Sequence, residues 1–165
     1  MSSGWLSRLA VAALVVFSPG NAADAGDDAL TFGAGAFAVF SEGDRQAQGE
    51  IQFRPDWRWW KLQPMIGGFA TAPGHTLFGY IGISADFALR GLVLRPSFAP
   101  GFYSRGDGRD LGNTILFRTG LGVAWEFESG HRLGIDLYHL SNAGLADHNP
   151  GAESAMLTFT LPIRW

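Results

Sequence analysis

The chain has 165 residues, a formal net charge of -3 at neutral pH and no cysteine. Its mild acidity excludes the basic footprint that a nucleic-acid partner requires, and the missing thiols exclude disulfides and thiolate metal sites. Hydrophobic residues make up 47% of the chain, yet beyond the N-terminal region no run reaches the roughly eighteen consecutive apolar residues of a membrane helix.

The first residues read as an export signal. Arg8 supplies a basic start, residues 9–17 form a short apolar stretch, and Pro19 and Gly20 break it. Ala22, Ala23 and Ala25 are small enough to mark cleavage. Residues 1–23 are therefore expected to be a signal peptide cut near 22–25, leaving residues 24–165 as one domain. Losing Arg8 moves the net charge from -3 to -4. An exported chain without cysteine must be held by its core, by oligomerisation or by lipid.

Eight segments then alternate with a period of two, the signature of strands with two different faces. Leu30, Phe32, Ala34, Ala36, Ala38 and Phe40 form one face of the first. Ile51 and Phe53 mark a short second strand. Trp60, Leu62, Pro64 and Ile66 share a face of the third. The fourth sets Leu77, Ile81, Ile83, Ala85 and Phe87 against Tyr80, Ser84 and Asp86. In the fifth, Leu92, Leu94, Phe98 and Phe102 oppose Arg95 and Ser97. In the sixth, Ile115, Phe117, Leu121, Val123, Trp125 and Phe127 oppose Arg118, Gly120, Gly122 and Glu126. The seventh sets Leu133, Ile135, Leu137, His139 and Ser141 against Arg132, Gly134, Asp136 and Tyr138. The eighth sets Ala155, Leu157, Phe159, Leu161, Ile163 and Trp165 against Ser154, Thr158, Thr160 and Arg164.

The polar faces choose between two kinds of barrel. A soluble lipocalin-like barrel turns its apolar face inward, whereas an outer-membrane barrel turns it to lipid. Here the polar faces mix glycine with pairable charges (Asp86, Arg95, Arg118, Glu126, Arg132, Asp136), which suits the cramped lumen of eight strands. The 23 glycines, the 13 phenylalanines and the terminal aromatic Trp165 fit the same architecture. The expected fold is all-β: an eight-stranded antiparallel transmembrane β-barrel of the outer membrane.

Connection lengths orient it. Arg54-Pro55-Asp56, Leu89-Arg90-Gly91 and Glu128-Ser129-Gly130 read as tight periplasmic turns. The longer polar links at 41–49, 104–112 and 144–152, with a shorter one at 71–74, fall outside. The seventh strand then runs outward, and His139 and Ser141 meet lipid in the outer leaflet. Glu153, opening the eighth strand with the same parity, joins them; a carboxylate facing lipid is costly without a partner. A hydroxyl, a base and an orienting carboxylate are the parts of a nucleophilic triad.

Tyr138-His139-Leu140-Ser141-Asn142-Ala143-Gly144, followed by Asn149-Pro150-Gly151-Ala152-Glu153, resembles the signature of the PagL family, the lipid A 3-O-deacylases of Gram-negative outer membranes. The resemblance implies Ser141 as nucleophile, His139 as general base and Glu153 as the group that orients it. It further implies an oxyanion hole from Asn149 and the backbone N–H of Gly144. Asn142 has inward parity and reads as positional. The implied activity is hydrolysis of the ester that links a 3-hydroxyacyl chain to lipid A, with no cofactor and no metal. Lipopolysaccharide would be the substrate and outer-membrane lipid the surroundings; a homodimer stays open, and nucleic acid is not expected.

Two alternatives share most of these features. An outer-membrane phospholipase uses the same Ser-His chemistry, and a structural or adhesive barrel needs everything but the triad. A palmitoyl-transferring barrel would place its catalytic groups toward the lumen, against the parity seen here. Asp147 and His148 read as loop polarity, and His75 and His131 as solvated groups beside turns. Trp57, Trp59 and Trp60 read as an interfacial girdle, and Arg45, Arg105 and Arg109 as ordinary loop charge.

Overall fold

The computed structural model describes residues 28–163; the expected signal peptide lies outside the described residues. The elements are β1 (Asp28–Phe37), β2 (Gln46–Arg54), β3 (Leu62–Ala72), β4 (Leu77–Ala85), β5 (Phe87–Leu89), β6 (Leu92–Ser104), β7 (Ile115–Glu126), β8 (Arg132–Ser141) and β9 (Ala152–Ile163). β4 and β5 are one stave interrupted at Asp86, so the barrel has eight staves. All pair antiparallel in the order β4-β3-β2-β1-β9-β8-β7-β6-β5, and a β4–β6 pairing closes the sheet. The seventh and eighth predicted strands are β8 and β9.

The register sets the tilt. From Ser141, the row of paired residues runs through Phe117 and Pro100 to β4, then through Ile66, Phe53, Leu30 and Leu161. It returns to β8 one residue below the Arg132–Thr160 pair, at His131. One circuit thus descends ten residues along β8, which for eight staves corresponds to a strand tilt of about 41°.

Burial follows the parity. Phe32, Ile81, Leu121, Ile135, Leu137 and Leu157 are exposed on the outer wall. The lumen is filled in three layers. At the turn end, Asp86 accepts Arg95 Nε at 2.6 Å and Arg132 Nη1, while Arg132 Nε donates to Glu126 at 2.6 Å. In the middle, the Arg118 guanidinium lies 3.9 Å from the Tyr138 ring centroid and 5.1 Å from that of Tyr80, and pairs with Glu50 at 3.4 Å. At the long-loop end, Phe37 and Phe69 pack with centroids 5.7 Å apart and Phe69 and Phe78 at 5.6 Å, beside buried Leu111, Leu116 and Leu140.

Three expectations need correction. β2 is a full nine-residue strand: its outer face holds the small Ala47 and Gly49, while Gln48, Gln52 and Arg54 are buried inside. The first strand ends at Phe37 and its outer stripe at Ala36, because Ala38 turns to φ 54 and is itself buried. The link after β2 is not a tight turn. Trp59 bridges Leu62 across Trp60, which sits at φ 57, so residues 55–61 are irregular and Trp60 is outside β3. The expected two-residue turn does occur at Arg90-Gly91, where both φ angles are positive (51 and 87) as a type I′ hairpin requires.

Candidate active site

His139 lies one pair from the end of the β8–β9 ladder, directly opposite Glu153. Cross-strand partners bring side chains together on one face, and here His139 Nδ1 sits 3.1 Å from Glu153 Oε1. Both side chains are about half exposed on the outer wall, at 47% and 40%. With the carboxylate accepting, the ring proton belongs on Nδ1 and Nε2 keeps its lone pair. Ser141 is two residues further along the same face, at the last position of β8 and paired with Phe117.

The connection between β8 and β9 is organised by Asn142, which turns inward and is fully buried. Its Nδ2 donates to Leu111 O at 2.9 Å and His148 O at 2.8 Å, and its Oδ1 accepts the Gly144 N–H at 2.9 Å. Its backbone N–H donates to Asn149 Oδ1 at 3.0 Å. That last bond fixes the amide of Asn149: the oxygen faces Asn142, and the NH2 group points along the other branch. The Gly144 N–H, by contrast, is engaged by Asn142.

Gly151 is the piece that strand parity does not reveal. It precedes β9 at φ 65, and a Cβ there would lie 2.5 Å from His139 Cε1 and 3.1 Å from Nε2. The histidine ring therefore packs on the bare α-carbon. Arg109 Nε donates to the Gly151 carbonyl at 2.9 Å while its Nη1 pairs with Asp44 at 2.8 Å. Three outer connections thus meet beside the imidazole. Glu153 is tied to a neighbouring connection as well, its carbonyl accepting the Val39 N–H at 3.0 Å.

The remaining candidates separate cleanly. His148 contributes its backbone carbonyl to Asn142, and Asp147 is exposed on the loop. His75 sits in the 73–76 turn at φ 52. His131 bonds Ser129 and stacks on Phe159 with centroids 5.7 Å apart. Arg109, read as plain loop charge, is instead partly buried and doubly bonded. Arg105 faces Asp110 at 3.4 Å, and Arg45 donates to Val39 O at 2.7 Å.

The family profile described as Lipid A 3-O-deacylase (PagL) matches residues 31–162, nearly all of the described barrel and both halves of the site. The chain belongs to the PagL family. Over 55 residues it is 36% identical to the lipid A deacylase PagL of Pseudomonas aeruginosa; that stretch is 33% of this chain and 32% of that protein, so the match spans about a third of the relative. The fold resembles the crystal structure of the outer-membrane enzyme PagL with a TM-score of 0.66 and 21% identity, covering 82% of this chain and 99% of that one. It also resembles the Neisserial surface protein NspA, with a TM-score of 0.53 and 14% identity over 84% of this chain and 97% of that one. As a PagL-family barrel the chain is an outer-membrane protein, and the exposed apolar wall carrying His139 and Glu153 is the surface that meets lipid.

Proposed function

We propose that this chain hydrolyses the ester holding the 3-O-linked 3-hydroxyacyl chain of lipid A, with Ser141 as nucleophile, His139 as general base and Glu153 as its orienting carboxylate. The observation that supports this most is the 3.1 Å contact between His139 and Glu153 on the outer wall, with Ser141 two residues away on the same face. A lipid-facing carboxylate is unfavourable unless it is paired, and one aimed at an imidazole beside a hydroxyl has a chemical use.

The steps follow from these groups. His139 Nε2 takes the Ser141 proton as Oγ attacks the acyl carbonyl. The tetrahedral intermediate collapses, and the sugar oxygen leaves with the proton from the imidazolium. Water then gives a proton to Nε2 and attacks the acyl-serine; the fatty acid departs and Ser141 regains its proton. Throughout, Glu153 holds the ring and offsets its transient positive charge. The NH2 group of Asn149 is the donor we assign to the oxyanion, a term worth about 3 kcal/mol in comparable enzymes. Gly144 and Asn142 build the turn that presents it. The long-loop end faces the cell exterior, which puts the site in the outer leaflet with lipopolysaccharide.

The test uses purified barrel in detergent with lipopolysaccharide, reading released 3-hydroxy fatty acid and the lipid A mass. Ser141→Ala and His139→Ala are each expected to lose at least about a thousandfold in rate. Undiminished release by either variant ends the triad assignment. Loss of acyl chains from phospholipids with lipid A left intact would replace the substrate.

A further inference from the structure

Away from its rims, the outer wall of the described strands has one polar patch, and the chemistry above uses three of its four side chains. Outward positions carry polar side chains at the rims, Asp28 opening β1 and Ser104 closing β6, and otherwise in a single cluster of Glu153, His139, Ser141 and Thr119. Thr119 is exposed on β7 and pairs directly with His139, on the side away from Glu153. Its other neighbours on that face are Phe117, Leu121 and Phe98, so the cluster ends with it. The strand itself has no need of this hydroxyl. β-branching suits the position, and Val123 supplies it without oxygen further along the same face. An O–H in hydrocarbon is unfavourable without a partner, and the Thr119 side chain makes no hydrogen bond to any described residue.

The register puts Thr119 on the bilayer side of Ser141. Ser141 pairs with Phe117, two residues nearer the long loops than Thr119. Passing from β8 to β7, the rows of paired residues also descend toward the turn end, as their return to β8 at His131 shows. Ser141 and Thr119 are thus diagonal neighbours on one face, about 7–8 Å apart. A 3-hydroxyacyl chain leaves its carbonyl at Ser141 toward the bilayer interior and carries its hydroxyl two carbons along. Two C–C bonds and one C–O bond of about 1.5 Å each, followed by a hydrogen bond of about 2.8 Å, span that diagonal.

We propose that Thr119 hydrogen-bonds the 3-hydroxyl of the scissile acyl chain, so that the site favours 3-hydroxyacyl esters over unsubstituted ones. This rests on the proposed function. When the ester settles at Ser141, both hydroxyls lie in hydrocarbon, where each offers the other a partner. A threonine hydroxyl accepts as well as donates. A 3-hydroxyl left alone folds back on its own ester carbonyl through a six-membered ring. Accepted by Thr119 instead, it leaves the carbonyl oxygen free for the oxyanion donor. An unsubstituted chain leaves Thr119 unpaired, and that missing hydrogen bond is the discrimination.

The experiment compares release of a 3-hydroxytetradecanoyl and a tetradecanoyl chain, each ester-linked at the 3-position of otherwise matched synthetic lipid A in mixed micelles. The parent is expected to favour the hydroxylated ester about tenfold in kcat/KM, which is what one such hydrogen bond supplies. Thr119→Val keeps the shape and removes the hydroxyl, and should bring the ratio of the two esters close to one. Thr119→Ser should restore most of the preference, and Ser104→Ala, which removes the outward hydroxyl at the rim, should keep the parent ratio. The ratio is read within each variant and so does not depend on its folded fraction. A parent ratio near one, or a preference that survives in Thr119→Val, overturns the role of Thr119 and leaves the proposed function standing. Equal losses on both esters overturn it too, since they mark a residue that only supports the histidine. No hydrolysis of either ester by the parent removes the proposed function and this recognition with it.

Discussion

Gly151 and His139 meet through an α-carbon and a ring edge, so the smallest possible side chain at 151 has nowhere to go. Alanine there would carry the cost of the left-handed backbone, about 1–2 kcal/mol, and would push the imidazole away from Glu153. Gly151→Ala is expected to lower kcat tenfold or more with little change in KM, while the barrel keeps its heat-modifiable migration on electrophoresis. Glu153→Gln keeps the shape and removes the charge; on the proposed mechanism it should cost about ten-thousandfold in kcat, less than removing the nucleophile. Initial rates on lipopolysaccharide check both. The pairing of His139 with Glu153 was legible in the sequence because strand parity and a single hairpin connection bring the two together. Gly151 and Arg109 were not, because their contacts depend on the path of irregular backbone, which no periodicity encodes. The one available signal was the glycine two residues before Glu153, beside the candidate base, which reads as a turn on composition alone.

Among the elements, the 142–151 connection is the one whose order the site needs, and Asn142, itself fully buried, holds it through three side-chain hydrogen bonds. Asn142→Ala leaves the carbonyls of Leu111 and His148 and the N–H of Gly144 without that partner; the unpaired carbonyl of buried Leu111 costs about 1–3 kcal/mol, while exposed His148 and Gly144 can turn to water. Faster amide exchange at Gly144 and Leu145 is expected, with lower activity and unchanged exchange in β7 and β9. Its inward parity was readable because β8 alternates without interruption up to Ser141. Where alternation is weak, periodicity alone misplaces a strand's ends. The outer face of β2 begins with Ala47 and Gly49, so its hydrophobic signal starts only at Ile51, although glutamines at 46, 48 and 52 marked the inner face. The first stripe looks longer than its strand because Ala38 and Phe40 keep the period after the backbone has left the ladder. Trp60 likewise keeps parity with Leu62 but sits in a bridged turn.

For the molecule as a whole, the charges inside the barrel were predictable as residues but not as a network, since their partners come from staves far apart in sequence. Asp86 is the hub, bonded to Arg95 and Arg132 and 4.0 Å from Arg54, with its own side chain 10% exposed. Asp86→Asn keeps the volume and leaves buried guanidinium groups without a counter-charge, a change of about 3–5 kcal/mol in comparable buried pairs. A lower thermal unfolding temperature in detergent is expected, with the rate per folded molecule unchanged because the hub lies at the opposite end from His139. The packed lumen has a kinetic corollary. With the interior occupied by arginine, tyrosine and phenylalanine, an enzyme working on the outer wall meets its substrate by lateral diffusion in a two-dimensional phase and returns both products to it. Its velocity should then follow the mole fraction of lipid A within each micelle, and should fall on surface dilution with inert detergent even when the bulk concentration is held constant.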